Sequence, residues 1–270
     1  MDHTPLHTDC KALRYQELFL SSQKESDQLP RKGINLAKHI GIVGCSAEGA
    51  ALCYRTICVE GEHDLGKHGH PEVSLHTHAL QIYMKHIDSG DWQGVADLIL
   101  DSAHKLAMAG AEFLICPDNT IHQALPIVRP KSPLPWLHIA EVVAQEAVSR
   151  GYKRLALTGT KYLVESDVYP EKLEVRGIDF RRPAEEERNE INRIIFDELV
   201  RGRFLPESLT YFQKVIARLA GEEGCDAVIL GCTEIPLIVT PQNSPLPTLD
   251  STRLLARAAL RHALAGAAAG

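Results

Sequence analysis

The stretches GAEFLICPDNTIH, residues 110–122, and GCDAVILGCTEIP, residues 224–236, align without a gap at an offset of 114 residues. In each, a short apolar run ends abruptly in small and polar side chains. Residues 97–109 and 211–223 overlie at the same offset, and IGIVG at 40–44 overlies LALTG at 155–159 at an offset of 115. Chance rarely aligns two helix-plus-strand pairs in this way, so the chain is predicted to contain two copies of one half.

The hydrophobic pattern predicts an α/β fold. Apolar runs of strand length alternate with longer stretches of helical period, and such alternation is typical of parallel sheets covered by helices on both faces. The predicted strands are 39–44, 72–76, 112–116, 136–140, 154–159 and 227–232. The predicted helices are 92–109, 139–149, 186–200, 209–221 and 251–263, the last with Asp250 or Ser251 as its N-cap, and residues 60–71 are predicted to form a polar loop.

Two pseudo-symmetric α/β domains follow from this organisation. We expect residues 39–136 to form the first, joined by the C-terminal helix 251–264, and residues 137–250 to form the second. Residues 1–38 are polar and are predicted to be an N-terminal arm, partly disordered. Ligands of parallel sheets bind at the carboxyl ends of the strands. Two halves that face each other would therefore present Asp118 from one side of a cleft and Cys232 from the other.

Composition narrows the possible partners. The net charge is −6 and the basic residues are scattered, which disfavours nucleic acid. No segment approaches the roughly 20 apolar residues of a membrane span, and the N-terminus lacks the apolar stretch of a signal peptide. Seven cysteines without a CxxC pair fit reduced thiols. These features predict a cytoplasmic protein, and the absence of GxGxxG and GxxxxGK[ST] motifs leaves a phosphate-binding loop unsupported.

The two strand ends each have a structural and a chemical interpretation. Cys232 could be a small buried hydrophobe, but Gly231 before it and Thr233-Glu234 after it favour a tight turn with polar groups at a cleft. Asp118 could cap the following helix through an Asx turn, or it could take part in proton transfer. Both interpretations of Asp118 stay open at this point.

Several segments resemble the aspartate/glutamate racemase family, whose relatives include hydantoin racemase, maleate isomerase and arylmalonate decarboxylase. VILGCTEIPLIV at 228–239 is similar to the family's second catalytic motif, and CPDNTIH at 116–122 to the first. INRIIFDEL, LHIAE, LTGTKYL and the pair GIVG and YR resemble further segments. The resemblance covers roughly residues 40–262. It implies two domains with the active site between them, a homodimer, no cofactor, and two thiols that remove and return the α-proton of aspartate or glutamate.

One departure from the family motif affects the mechanism. Asp118 stands directly before Asn-Thr where the motif has a cysteine, and Cys116 lies two positions earlier. A thiol has a reference pKa near 8.5 against about 3.9 for Asp, so Cys232 is expected to be the base. Asp118 can be the opposing acid only if burial or a like-charged neighbour raises its pKa; otherwise it orients the substrate ammonium. We therefore expect an asymmetric catalyst.

The remaining candidate residues are substrate contacts. Thr233, Asn119 and Thr120, with nearby backbone N–H groups, suit a carboxylate and the charge that develops on it. By resemblance, Arg55 is a clamp for a distal carboxylate, although it could be a solvated helix arginine, and Lys161 is a second carboxylate contact. Ser46 and Thr160 follow two strands. Glu234 either takes the ammonium or caps a helix.

The histidines and two rival functions complete the prediction. His76 matches a family position at the cleft, and His76 with His78 forms an HxH pair that could bind zinc. No Cys or Glu stands at ligand spacing, so no metal is predicted. The expected partner is a small amino acid or dicarboxylate. Alternatives are a decarboxylase or isomerase of a small dicarboxylic acid that uses the single thiol Cys232, and a dicarboxylate-binding protein without catalysis.

Overall fold

Two parallel sheets form the frame of residues 37–265, the part of the chain that the computed structural model describes. The first has the order β2-β1-β3 and consists of β1 (Ile40–Gly44), β2 (Val73–Thr77) and β3 (Phe113–Ile115). The second has the order β5-β4-β6-β7 and consists of β4 (Arg154–Thr158), β5 (Asp179–Arg181), β6 (Ala227–Leu230) and β7 (Thr248–Asp250). The predicted fold class is confirmed, whereas the arm predicted for residues 1–38 falls, up to residue 36, outside the described residues.

Helices connect the strands and cover the sheets. They are α1 (Ala47–Leu65), α2 (Leu80–Ser89), α3 (Trp92–Met108), α4 (Leu125–Val128), α5 (Ile139–Ser149), α6 (Lys161–Val164), α7 (Pro170–Glu174), α8 (Glu185–Asp197), α9 (Pro206–Gly221) and α10 (Ser251–Leu264). Short 3-10 turns lie at Thr120–Ala124, Arg129–Lys131, Leu199–Arg201 and Ile235–Leu237. Asp250 caps α10 by accepting from the Arg253 N–H, as its residue type suggested.

Two local predictions were wrong. Residues 136–140 do not form a strand: Trp136 makes an isolated bridge with Leu114, and α5 begins at Ile139 with His138 as its N-cap. An apolar run of this length fits a strand and a buried helix start equally well, and the cap decides between them. The loop predicted for residues 60–71 is shorter, because α1 continues to Leu65 with Ile57 and Gly61 on its buried face.

The strand registers preserve the repeat. Ile40 pairs with Phe113 in the first sheet and Leu155 pairs with Ala227 in the second, which reproduces the offsets of 115 and 114. A further repeated segment was missed in the sequence: SPLPWL at 132–137 and SPLPTL at 244–249. In the first, the Pro135 carbonyl accepts from the Leu114 N–H at 2.8 Å; in the second, the Pro247 carbonyl accepts from the Val228 N–H at 2.9 Å.

One apolar core joins the two sheets. It contains side chains from β1, β3, β4 and β6 together with α5 and α10, among them Ile42, Leu157 and Ile229. Each sheet buries its other face in a separate cluster, as alternation of side chains along a strand requires. The shared core holds the sheets so that the carboxyl ends of β1, β3, β4 and β6 open onto one cavity. Within residues 37–265, no helix has the length and apolarity required for a bilayer span.

An acidic side chain secures the start of the central strand in each half. The His39 N–H donates to Glu112 Oε1 at 2.9 Å. At the equivalent place, Asp226 accepts from the Lys153 N–H at 2.6 Å and from the Arg154 N–H at 3.2 Å. The aligned acids of the two repeats therefore have the same function, which is to satisfy backbone donors at the first residues of β1 and β4.

We expect Asp226→Ala to lower the free energy of unfolding by about 1–2 kcal/mol and Glu112→Ala by about 1 kcal/mol, because each leaves strand N–H groups without an acceptor. Urea denaturation measures the difference. Asp226→Asn and Glu112→Gln retain an acceptor oxygen and should lose less. Asp97→Ala, at an exposed acid that contacts only the Gln93 side chain, serves as the control. Equal stability of Asp226→Ala and the control would contradict the assignment.

Candidate active site

The cavity lies where the chain leaves β1, β3, β4 and β6. It offers about 50 Å³ of space to water, which is room for a small molecule. The polar lining consists of Cys45, Ser46, Asp118, Asn119, Thr120, Thr160, Cys232, Thr233 and Glu234. The structure therefore brings eight of the predicted site residues together and adds Cys45, which sequence reasoning missed.

Two hydroxyl contacts close the seam between the halves. Ser46 Oγ lies 3.2 Å from Thr233 Oγ1, and Thr120 Oγ1 lies 3.2 Å from Thr160 Oγ1. Ser46 also caps α1 and Thr160 caps α6, each by accepting a backbone N–H. At Gly49 in the first turn of α1, a Cβ would lie 2.4 Å from Thr233 Cγ2. Only glycine permits the helix to approach this closely.

Cys232 is held against a carboxylate. Its Sγ donates to Glu234 Oε2 at 2.9 Å, and Thr233 Oγ1 donates to the same oxygen at 2.7 Å. Burial, followed by the negative charge of Glu234, raises the pKa of the Cys232 thiol well above its ordinary value. The thiol is therefore protonated at rest, with Glu234 beside it as a proton acceptor. Glu234 makes no side-chain cap to the turn that follows it, so its predicted alternative as a helix cap is wrong.

Asp118 makes the Asx turn proposed from the sequence, and its pKa is shifted in the direction that the alternative, proton transfer, requires. Its Oδ1 accepts from the Thr120 N–H at 3.1 Å and the Ile121 N–H at 3.4 Å, which is the Asx turn. Desolvation, followed by the negative charge of Glu234, nevertheless raises the pKa of Asp118 to about 6, against the opposing effect of these N–H groups. A fraction of Asp118 is consequently protonated near neutrality, as an acid at this position requires.

His122 holds the backbone of Asp118 in place. Its Nδ1 donates to the Asp118 carbonyl at 2.7 Å, and its Nε2 accepts from the Ile139 N–H at 3.3 Å. Burial lowers the pKa of His122 to about 4, so the ring is neutral and both nitrogens are occupied. The histidine of the CPDNTIH motif is therefore a positioning residue for Asp118.

Cys45 lies near Asp118, just beyond the ends of two paired strands. The β1–β3 register pairs Ile42 with Ile115, and Cys45 and Asp118 each come three residues after this pair, where the chain has left β1 and β3. The thiol lies close enough to the Asp118 carboxylate to interact with it, and this interaction lowers the pKa of Asp118 and raises that of Cys45. Cys116 is different: its Sγ contacts the Asp118 carbonyl at 3.8 Å, and it does not line the cavity. The signal that could have identified Cys45 was its position directly after the first strand.

Asn119 borders the cavity, but its amide group is engaged elsewhere. Its Nδ2 donates to Ser251 Oγ at 3.0 Å, and its Oδ1 accepts from the Tyr169 hydroxyl at 2.7 Å. Ser251 in turn donates to the Leu230 carbonyl. Asn119 thus ties the end of β3 to the second half of the chain. Because its side-chain oxygen and nitrogen are engaged, its backbone is the part available to a ligand.

Three predicted substrate contacts do not line the cavity. Arg55 is exposed on α1. Lys161 places its Nζ over the Tyr162 ring, 5.3 Å from the centroid. His76 is bonded to Ser102 Oγ at 2.9 Å against α3. The sequence resemblance predicted these residues as substrate contacts at the cleft, but none of the three is among the residues that line the cavity. Among residues 37–265, no Arg, Lys or His lines this cavity.

A possible metal-binding group lies outside the cavity lining. Ligand atoms of His76, His78 and Asp101 lie within 4.8 Å of one another. His78 Nε2 is 2.8 Å from an Asp101 carboxylate oxygen, and Lys105 Nζ is 2.6 Å from the same oxygen. The carboxylate is thus already paired with a cation. The sequence prediction that no metal is bound stays a prediction.

An apolar wall completes the cavity. Leu80, Met84 and Ile87 face it from one side of α2, at helical spacing, and Ile195 and Phe196 face it from α8. Tyr162 joins them, with its hydroxyl donating to Asp88 Oδ1 at 2.8 Å. Such a wall keeps water from the polar end and strengthens the electrostatic interactions there.

Comparison with known proteins identifies the family to which the chain belongs. The model of the Asp/Glu/Hydantoin racemase family matches residues 42–259. The chain therefore belongs to this family, and racemases are isomerases. The broad specificity amino-acid racemase of Bacillus subtilis (strain 168) is 24% identical over 169 residues, which cover 62% of this chain and 71% of that protein.

Solved structures are similar over most of the chain. A candidate Asp/Glu racemase from Yersinia pestis has a TM-score of 0.77 and 33% identity, covering 84% of this chain and 99% of that one. An aspartate racemase homologue from Pyrococcus horikoshii OT3 has a TM-score of 0.73 and 30% identity with the same coverage. The resemblance inferred from the sequence motifs is confirmed.

Proposed function

We propose that this protein is a cofactor-independent amino-acid racemase that removes the α-proton on one face of its substrate and returns a proton on the other. The observation that carries the proposal is the position of Asp118 and Cys232. They come from opposite sheets, line one cavity, and each has a thiol–carboxylate contact, Asp118 with Cys45 and Cys232 with Glu234. Two acid–base groups that reach one small cavity from different sheets suit proton transfer to both faces of one carbon.

The protonation states of Cys232 and Asp118 predict an asymmetric catalyst. The pKa of Cys232 lies well above that of Asp118, so the resting site has a thiol on one side and mainly a carboxylate on the other. One enantiomer needs a base on the Asp118 side and an acid on the Cys232 side, which is the abundant protonation state. Its mirror image needs the reverse, which is the rarer state. We expect kcat and KM to differ between enantiomers. Their ratio kcat/KM stays equal, because enantiomers have equal free energies and the overall equilibrium constant is one.

Hydrogen-bond donors indicate how the substrate is oriented. The Thr233 hydroxyl donates its proton to Glu234 and therefore accepts a hydrogen bond from the Ser46 hydroxyl. This series of hydrogen bonds ends at the Glu234 carboxylate, which suits the substrate ammonium. The contact between Thr120 and Thr160 uses one hydroxyl proton and leaves the other for a ligand. We place the α-carboxylate there, where it can also delocalise the charge that develops at Cα.

The side chain of the substrate has two candidates. Aspartate and glutamate are the substrates that the family resemblance predicts, and backbone N–H groups at the start of α1 could hold a distal carboxylate. The lining favours a second candidate, an uncharged side chain, because the described residues of the cavity include no cation and the apolar wall faces it. The Bacillus subtilis relative bears the name broad specificity racemase, which is compatible with either.

Aspartate and leucine separate the two candidates, since both side chains branch at Cγ and differ mainly in charge. Initial rates for each, measured by chiral chromatography, decide the order of kcat/KM. A higher value for aspartate supports the acidic substrate, and a higher value for leucine supports the uncharged one. Asparagine, which has the same shape without the charge, distinguishes polarity from charge. A small dicarboxylic acid that lacks an amino group tests the decarboxylase or isomerase alternative.

Cys232→Ser and Asp118→Asn should each lower racemisation by at least about 100-fold, because each removes a group that transfers or accepts a proton. Incubation in D2O measures the result, with the α-proton followed by NMR and the configuration by chiral chromatography. Cys58→Ser, at a half-buried thiol of α1 outside the cavity, should leave the rate unchanged. Absence of α-proton exchange by the unmodified protein for every amino acid tested would contradict the proposed function.

The pH dependence should follow Asp118. Its raised pKa of about 6 means that the proton-accepting carboxylate predominates above pH 6 and is lost below it, so kcat/KM should fall as pH decreases through this range. Glu234→Gln removes the like charge that helps to raise this pKa, and the midpoint should move to lower pH. Asp101→Asn, outside the cavity, is the control. An acid limb that stays in place in Glu234→Gln would contradict the coupling.

The homodimer, the absence of a cofactor and the cytoplasmic location stay predictions from the sequence and the resemblance. Analytical ultracentrifugation tests the first. Full activity after exhaustive dialysis against a chelator and without added pyridoxal phosphate tests the second.

A further inference from the structure

We propose that Cys45 is a second catalytic thiol, and that Asp118 serves as its carboxylate partner in the way that Glu234 serves Cys232. This inference rests on the proposed racemase function and identifies the atom that meets the substrate on the Asp118 side. It also accounts for the departure from the family motif: the thiol missing before Asn-Thr is supplied by the neighbouring strand.

The placement of Cys45 meets the geometric requirement. Cys45 is 4% exposed and lines the cavity together with Cys232, which is 8% exposed. Cys45 directly follows β1 and interacts with the Asp118 carboxylate, while Cys232 follows β6 in the other sheet. Hence the two thiols approach the cavity from different halves of the protein. Cys116, although nearer to Asp118 in sequence, does not reach the cavity lining.

The two carboxylates are held in similar ways. Glu234 Oε2 accepts from the Cys232 thiol and the Thr233 hydroxyl. Asp118 accepts two backbone N–H groups through Oδ1 and contacts the Cys45 thiol. The Asx turn restrains the Asp118 carboxylate through two backbone N–H groups, and the Cys45 thiol interacts with the same carboxylate. A carboxylate anchored in this way is better placed to accept a proton from Cys45 than to move toward a substrate carbon.

Chemical matching favours a thiol on each side. Burial raises the pKa values of both Cys45 and Cys232 well above the ordinary thiol value, whereas Asp118 stays near 6. The two thiols are thus shifted in the same direction by the same cause, and each needs the carboxylate beside it to accept its proton before it can remove one from Cα.

The proposed step balances in protons. Asp118 accepts the proton of the Cys45 thiol, and the resulting thiolate removes the proton from Cα. Cys232 then gives its proton to the opposite face of the carbanion, so that the C–H bond reforms with inverted configuration. The cycle closes when Cys232 regains a proton and Asp118 releases its own, through water. In the reverse direction Glu234 accepts the proton from Cys232, and Cys45 is the donor.

The experiment incubates Cys45→Ala and Cys232→Ala in D2O with the D- and the L-enantiomer of the best substrate, each enantiomer in a separate reaction. We expect both to lose racemisation by at least about 100-fold. Each should retain α-proton exchange without inversion for one enantiomer only, with opposite enantiomers for the two variants. Asp118→Asn should resemble Cys45→Ala. Exchange that survives for one enantiomer also demonstrates that the variant is folded. Cys116→Ala, at a buried thiol outside the cavity lining, is the control and should exchange the α-proton of both enantiomers.

Three results would overturn the proposal, and they are distinguishable. Racemisation by Cys45→Ala within about threefold of the unmodified protein, with Asp118→Asn inactive, would make Asp118 itself the transferring group. Equal loss of exchange for both enantiomers in Cys45→Ala, with unchanged thermal unfolding, would assign Cys45 a role without facial selectivity. No exchange by the unmodified protein would instead remove the proposed racemase function, and this inference with it.

Discussion

The apolar core that joins the two parallel sheets is the constraint on which the site depends. Strands of a parallel sheet all end at the same edge, so each half presents its polar strand ends along one line. Burying the inner faces of both sheets against α5 and α10 turns these edges toward each other. The hydroxyl contacts of Ser46 with Thr233 and of Thr120 with Thr160 then close the seam. A shift of either sheet would separate the groups that we propose act on one carbon atom.

The electrostatics of the cavity follow from this burial. Asp118 and Glu234 are brought close enough for the charge of Glu234 to raise the pKa of Asp118, and no basic side chain of the described residues enters to neutralise them. Each carboxylate is instead supported by thiol, hydroxyl and backbone donors. Two buried carboxylates of this kind repel free anions and attract cationic groups such as an ammonium. Burial and these charges also raise the pKa of the Cys45 and Cys232 thiols.

The prediction from sequence was most successful where one physical rule decided the outcome. The matched offsets of 114 and 115 reappear as matched strand registers, because duplicated strands bury the same pattern of side chains. Asp118 and Cys232 share a cavity because each follows a parallel strand, and the carboxyl ends of parallel strands lie at one edge of their sheet. Arg55, Lys161 and His76 lie on the expected elements, yet their side chains point elsewhere, and a motif carries little information about direction around a helix. Cys45 was missed because its position directly after the first strand is equally typical of a buried structural cysteine.

The amino-acid sequence by itself determined the α/β class, the duplication and the polar residues at the strand ends, since periodicity and turn chemistry are local properties. Only the tertiary structure decided which of those polar residues meet. It set the Cys45 thiol against Asp118 and the Cys232 thiol against Glu234, and it pinned Asn119 between Tyr169 and Ser251. The physical reason is that proton affinity and hydrogen-bond partners depend on desolvation and on neighbours that are distant in the chain, and both arise when the two sheets close over one core.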